Sequence, residues 1–187
     1  MFGRPMPAPK PSDRTLSGAV DQPSCMAFST SAMPGPWSND ITPYLTGVMD
    51  EFNNYETEKI IFVKPTQIGG TEALQNMIGY IVMQDPSPTM IVYPTDTLAK
   101  SVSENRLQPM LKATPEIAKK FDENSSLLEL QFDSMYISLT GSNSPSGLAS
   151  KRFSVLLSTF TSKADSQRFA NKVADVPANA ISRMSCA

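Results

Sequence analysis

The chain has 187 residues, a formal net charge of −2, no histidine and two cysteines, Cys25 and Cys186. This length suits one domain with a real core rather than two. Without histidine a His/Cys zinc site, a Ser-His-Asp triad and a Cys-His dyad are excluded, and the near-neutral charge supplies no global basic field for nucleic acid, although DNA stays open as a partner.

Residues 1–40 are rich in Pro, Ser and Gly and poor in large apolar side chains, so they are expected to be irregular or partly disordered. The first residues, "MFGRPMPAPKPSDR", have no apolar core of signal-peptide type, and no run of about 18 apolar residues follows anywhere. No membrane span is expected, and the cytoplasm is the default compartment. In "ITPYLTGVMDEFNN" (41–54), Leu45, Val48, Met49 and Phe52 recur at helical spacing after Pro43, which predicts a short amphipathic helix.

"KIIFV" (59–63) is a continuous β-branched and aromatic run of the kind buried on both faces of a parallel sheet. A Gly-containing turn over 64–70 leads into "TEALQNMIGYIVMQ" (71–84), whose Leu74, Met77, Ile78 and Ile81 predict a helix. "TMIVYPT" (89–95) reads as a second buried strand, and Thr95 or Asp96 can cap a helix over about 97–112 that Pro109 should kink or end early. Thr114 and Pro115 open a further short helix over 114–121. "LLELQF" and "MYISLTG" read as a hairpin turning near Asp133-Ser134, and "RFSVLLSTF" (152–160) as one more strand. The alternation gives an α/β class with a mostly parallel sheet flanked by helices.

The turn carries the chemistry. A phosphate loop is written G-x-x-x-x-G-K-[ST]. Laid on that template, Gly69 takes the second glycine and Thr71 the hydroxyl, but Gly70 fills the lysine slot and Lys64 the first-glycine slot. The context is right: a buried strand, two glycines, then a helix whose N-terminal N–H groups and dipole favour an anion. A plain strand-to-helix turn with a solvated lysine satisfies the same residues, and the loop by itself leaves both readings open.

The stretch from about Ala32 to Lys151, including "IFVKPTQIGGTEA", "YPTDTLAK" and the later "GSNSPSGLAS", resembles the large terminase subunit of tailed phages, the GpA family. The resemblance implies an incomplete P-loop NTPase-like α/β fold whose loop lysine sits at the start, as Lys64 does. It implies that Lys64 contacts the β- and γ-phosphates of ATP, that Gln67, Gly69 and Gly70 shape the anion nest, and that Thr71 binds Mg²⁺. Glu72 matches the family's loop without an assigned role. Thr95 and Asp96 bear either on coupling or on a helix cap. Ser142 and Asn143 lie either in a loop near nucleotide or DNA or in a surface turn. Trp37 and Tyr44 precede the first strand, where related motors place adenine contacts; an aromatic staple on the core is the other reading. The implied partners are double-stranded phage DNA, a small terminase subunit and a portal on a procapsid, in the cytoplasm of a bacterial host.

The departures from the family are as specific. A strand after "GLASK" should end in adjacent acidic residues, the Walker B pair; here the corresponding positions are Ser158 and Thr159, so no catalytic carboxylate is assigned. The family's nuclease domain is not represented. The expected organisation is an N-terminal segment 1–40, a partial ATPase domain 41–151, and a divergent tail 152–187, out-of-frame or disordered, as in a fragment of a gene broken near codon 151. The alternatives are a true short protein of divergent function, a non-hydrolysing nucleotide-binding module, or a helicase-like P-loop protein, the last disfavoured by the missing conventional lysine.

Overall fold

The computed structural model describes residues 16, 27–28, 35–54, 56–57, 59–62, 67–143, 152–159 and 183–186. Strands β1 (Ala27–Phe28) and β2 (Gly35–Pro36) form an antiparallel ribbon. A 3₁₀ turn over Pro43–Leu45 runs into α1 (Thr46–Phe52). Leu45, Met49 and Phe52 of this segment are buried, the helical stripe expected of it.

Strand β3 (Lys59–Ile61) precedes the loop, and α2 (Gly70–Gln84) follows it. Gly70 and every residue from Ala73 to Val82 are buried, so α2 is a core helix rather than a surface one. Its neighbour β4 (Thr89–Tyr93) is buried at all five positions. Helix α3 (Asp96–Val102), a π-turn over Ser103–Leu107, α4 (Gln108–Ala113) and α5 (Pro115–Ala118) come next. Strands β5 (Glu129–Gln131), β6 (Tyr136–Gly141), β7 (Val155–Ser158) and β8 (Arg183–Cys186) complete the described elements.

Six strands share one sheet in the order β3-β8-β7-β4-β6-β5. Every pairing is parallel except the β5–β6 hairpin. The registers place Leu157, Ile91 and Leu139 in one row across β7, β4 and β6. With Val155 and Ile137 these side chains join one apolar cluster with Leu74, Met77, Ile78 and Ile81 of α2. Each such fully buried Leu or Ile contributes about 1.5–3 kcal/mol before entropy is counted.

Strands expected within 59–63, 89–95 and 135–141 are found at Lys59–Ile61, Thr89–Tyr93 and Tyr136–Gly141, and the helix expected at 71–84 at Gly70–Gln84, with Val63 outside the described residues. Pro109 does not end its helix. The Gln108 N–H donates to the Ser103 carbonyl, five residues back, and this π-turn gives the Pro109 ring room against the preceding helical turn. The strand expected within 152–160 is found as Val155–Ser158, paired with β4. A second difference is Arg183–Cys186, a strand that was not expected and that pairs with both β7 and β3. Backbone hydrogen bonds of a parallel ladder need no periodic side-chain pattern when both neighbours are already in place, so the weak sequence signal in 161–187 did not forecast a strand.

Candidate functional site

The parallel strands end level with one another. Ile61, Cys186, Ser158, Val92 and Thr140 share one register row across β3, β8, β7, β4 and β6. Ligands of open α/β sheets bind in the crevice beyond such C-terminal strand ends, where successive connections diverge. The loop after β3 opens there.

Its described part is a left-handed turn. Gln67 has φ of 62° and Gly69 has φ of 79°. Gly69 is the N-cap of α2, and its carbonyl accepts from the Ala73 N–H at 2.9 Å. A side chain there would be strained by the backbone and would press on Leu45 Cδ1 at 3.2 Å. Having no side chain, Gly69 makes no side-chain cap bond, so the first N–H groups of a buried 15-residue helix face the turn without helical partners. Thr71 follows in the first turn, half-buried, with Glu72 beside it. Lys64 lies outside the described residues.

Tyr44 stands against the loop from the segment before α1. The residue is 55% exposed, and its hydroxyl donates to the Ile68 carbonyl at 3.1 Å. Trp37 is partly buried against the core, and its indole N–H donates to Asn39 Oδ1 at 2.8 Å. The two aromatics therefore part company: Trp37 packs, whereas Tyr44 braces the loop and stays exposed.

A second group of contacts ties the loop after β4 to the end of β6. The Thr95 hydroxyl accepts from the Leu98 N–H at 3.2 Å, which makes Thr95 the cap of α3. Asp96 accepts from the Gly141 N–H at 2.6 Å. The Ser142 N–H donates to the Tyr93 carbonyl at 2.7 Å, and its hydroxyl donates to the Pro94 carbonyl at 3.0 Å. Thr95, Asp96 and Ser142 thus fix two adjacent loops at the C-terminal edge of the sheet; Asn143 is exposed beside them.

Ser158 ends β7, fully buried, and the Thr159 N–H donates to the Val92 carbonyl at 3.3 Å. Two uncharged hydroxyl residues thus occupy the strand end two places from β3, about 10 Å away across the sheet. Among the described residues no group of three or more His, Cys, Asp or Glu is placed to hold a metal.

One feature escaped the sequence reading. Arg106, on the π-turn, brings Nη1 to 3.8 Å from Glu72 Oε1 in the first turn of α2. Nearby, Tyr93 at the end of β4 is buried, which pushes its phenol well above the ordinary range, with Arg106 pulling weakly in the opposite sense. No periodicity marks Arg106; only the π-turn places it.

The model of a family described as phage terminase large subunit gpA, ATPase domain, matches residues 31–179. Among solved structures, the large terminase of bacteriophage HK97 is similar with a TM-score of 0.63 at 8% identity, over 92% of this chain and 37% of that one. A point mutant of the ATPase domain of the Thermus phage P74-26 large terminase is similar with a TM-score of 0.53 at 11% identity, over 80% of this chain and 67% of that one. At such identities the likeness concerns the fold. No curated protein gives a significant match.

Proposed function

The chain belongs to the family of phage terminase large subunit gpA ATPase domains, and from that premise we propose that its loop over residues 64–71 binds ATP with Mg²⁺ for a DNA-packaging motor. The observation that carries this reading is the left-handed turn at Gln67 and Gly69. It delivers the N-terminus of the buried helix α2, which Gly69 gives no side-chain cap, to the C-terminal edge of the parallel strands. Backbone N–H groups and the helix dipole then favour phosphate oxygens without any side chain.

The roles divide among the chain's own residues. Gly69 and Gly70 let the backbone approach the phosphates closely, and Gln67 shapes the entrance of the nest. Lys64 supplies the cation from the start of the loop. The Thr71 hydroxyl is the oxygen donor suited to Mg²⁺, which when bound neutralises phosphate charge. The residues present fit one side of such a metal; at the end of β7, Ser158 and Thr159 supply no charge on the other. That observation favours a second reading, a module that binds nucleotide without hydrolysing it.

Double-stranded phage DNA, a small terminase subunit and a portal on a procapsid are the partners proposed from the family. The chain spans 37% of the length of the HK97 terminase, so packaging and cutting belong to the proposal and not to the findings. Among the described residues no helix is long and apolar enough to cross a membrane, in keeping with action in the host cytoplasm.

Titration of the full chain with ATP, with and without Mg²⁺, tests the reading. Saturable binding that needs Mg²⁺ and is lost in Lys64→Ala is expected, while Gly70→Lys is not needed to obtain it. Unchanged affinity in Lys64→Ala would sink the assignment.

A further inference from the structure

Glu72 poses an electrostatic problem that the loop alone does not solve. It lies in the first turn of α2, next to the hydroxyl proposed for Mg²⁺. In the empty protein a carboxylate there is favoured by the helix dipole. Beside a triphosphate it is a like charge in the same small space, and that repulsion weakens binding.

The structure supplies one answer from another element. Arg106 Nη1 stands 3.8 Å from Glu72 Oε1, the Arg side chain 47% exposed and the Glu side chain 24%. Arg106 lies inside the π-turn, just ahead of the helix that Pro109 opens. The Ser103 hydroxyl of the same turn is buried with no hydrogen-bond partner. An isolated, partly exposed ion pair of this kind adds little stability. Its value lies in where it stands, between the first turn of α2 and the buried end of β4.

We propose that Arg106 is a positioning residue, the counter-ion that neutralises Glu72 and so admits a nucleoside triphosphate to the N-terminus of α2. The proposal rests on the nucleotide reading given above. It also gives Glu72 a role: the acid holds Arg106 beside the phosphate site, and the two charges together leave the anion nest neutral. A planar guanidinium suits this, since it keeps donors for a carboxylate and for a phosphate oxygen at once.

The test is a double-mutant cycle read by equilibrium binding of Mg-ATP, Mg-ADP and AMP to the full chain, with a thermal melt of each variant. Arg106→Ala is expected to weaken ATP about tenfold, the size suited to one uncompensated, partly exposed charge near a polyanion. The loss should be smaller for ADP and smallest for AMP. Arg106→Lys, which keeps the charge but not the planar fork, should lose less affinity than Arg106→Ala without reaching the parent. Adding Glu72→Gln to Arg106→Ala should restore most of the ATP affinity, which a merely structural role does not predict. If Arg106→Ala fails to fold, Arg106→Gln takes its place in the cycle. An Arg106→Ala affinity equal to the parent's overturns the proposal, and so does a double variant as weak as the single. If the parent binds ATP but the cycle shows no coupling, this inference alone falls; if the parent binds no nucleotide, the reading beneath it falls too.

Discussion

Two glycines show how single residues set the geometry of the candidate site. At Gly141 an added Cβ would lie 2.4 Å from the Asp96 backbone nitrogen and 2.7 Å from the Thr95 carbonyl carbon. Backbone cannot step aside as a flexible side chain can. Gly141→Ala should therefore destabilise the protein by about 3 kcal/mol, the upper range for overpacking, read as a lowered denaturation midpoint. A midpoint equal to the parent's would mean that the two loops separate at little cost. At Gly69 the demand is milder but bears on function. The left-handed φ costs a non-glycine about 1–2 kcal/mol, and Leu45 Cδ1 must also give way. Gly69→Ala is expected to lose that much stability and to weaken Mg-ATP binding along with it; full affinity in a destabilised variant would separate the turn from the nest. Gly69, Gly70 and Thr71 were legible as a loop because strand, glycines and helix follow in order, and that order is local in sequence. Gly141 was not, since its constraint comes from Asp96, 45 residues away in the chain. Arg106 was hidden for a similar reason, its partner being Glu72 on another helix.

At the scale of elements, the strongest sequence signals were those that burial writes twice. β4 reads as a continuous apolar run because both its faces are covered, and α2 carries a strong apolar stripe because it lies inside the fold, although its buried stretch includes Gln75 and Asn76. The start of α3 was legible for another reason, the chemistry of its cap, whereas Thr114 precedes α5 without capping it, its hydroxyl donating to the Met110 carbonyl. Thr95 was weighed as a cap or as a coupling residue, and its hydroxyl accepts the Leu98 N–H. Thr95→Ala should cost about 1 kcal/mol, as lost caps do, and leave nucleotide affinity unchanged. A fall in affinity without a fall in stability would return Thr95 to a coupling role. Asn76 gives a prediction of opposite sign. It is fully buried on α2, and among the described residues its amide nitrogen meets Met49 Sδ at 3.7 Å while its Oδ1 has no partner. A thioether is a weak acceptor, so the amide is poorly compensated for leaving water. Asn76→Leu, similar in size, should stabilise by about 1 kcal/mol in chemical denaturation; a loss of stability would show that a solvent molecule or a neighbour satisfies the amide. The π-turn was beyond sequence reasoning, because a proline within a helical run signals a break and not the i+5 bond that avoids one.

At the scale of the molecule, the strand order decides what chemistry the sheet can organise. Individual strands were legible, but their order was not, since β4 follows β3 in sequence yet stands three places away in the sheet. The crossover through α2 leaves room for β8 and β7 between them, and so sets the end of β7 across from the loop that follows β3. In-line attack on a γ-phosphate requires a positioned water and a Mg²⁺ held from both sides. The loop side has Thr71. The β7 side has Ser158, fully buried, and Thr159, whose N–H is already given to Val92. Neither hydroxyl carries charge at neutral pH or serves as a base. Losing general-base help costs about 10²–10⁴-fold, and the missing charged metal ligand adds to that. The edge matters as well: β3 ends the sheet among the described strands, its Ile61 is 62% exposed, and an exposed edge strand invites pairing between copies. The expected outcome is binding without turnover by this chain alone, together with aggregation that grows with concentration. A phosphate-release assay on freshly purified chain, followed by light scattering on the same sample, checks both. Hydrolysis on the order of one ATP per second, within the ordinary enzyme range, and lost in Lys64→Ala, would show that a carboxylate other than one at the end of β7 completes the site.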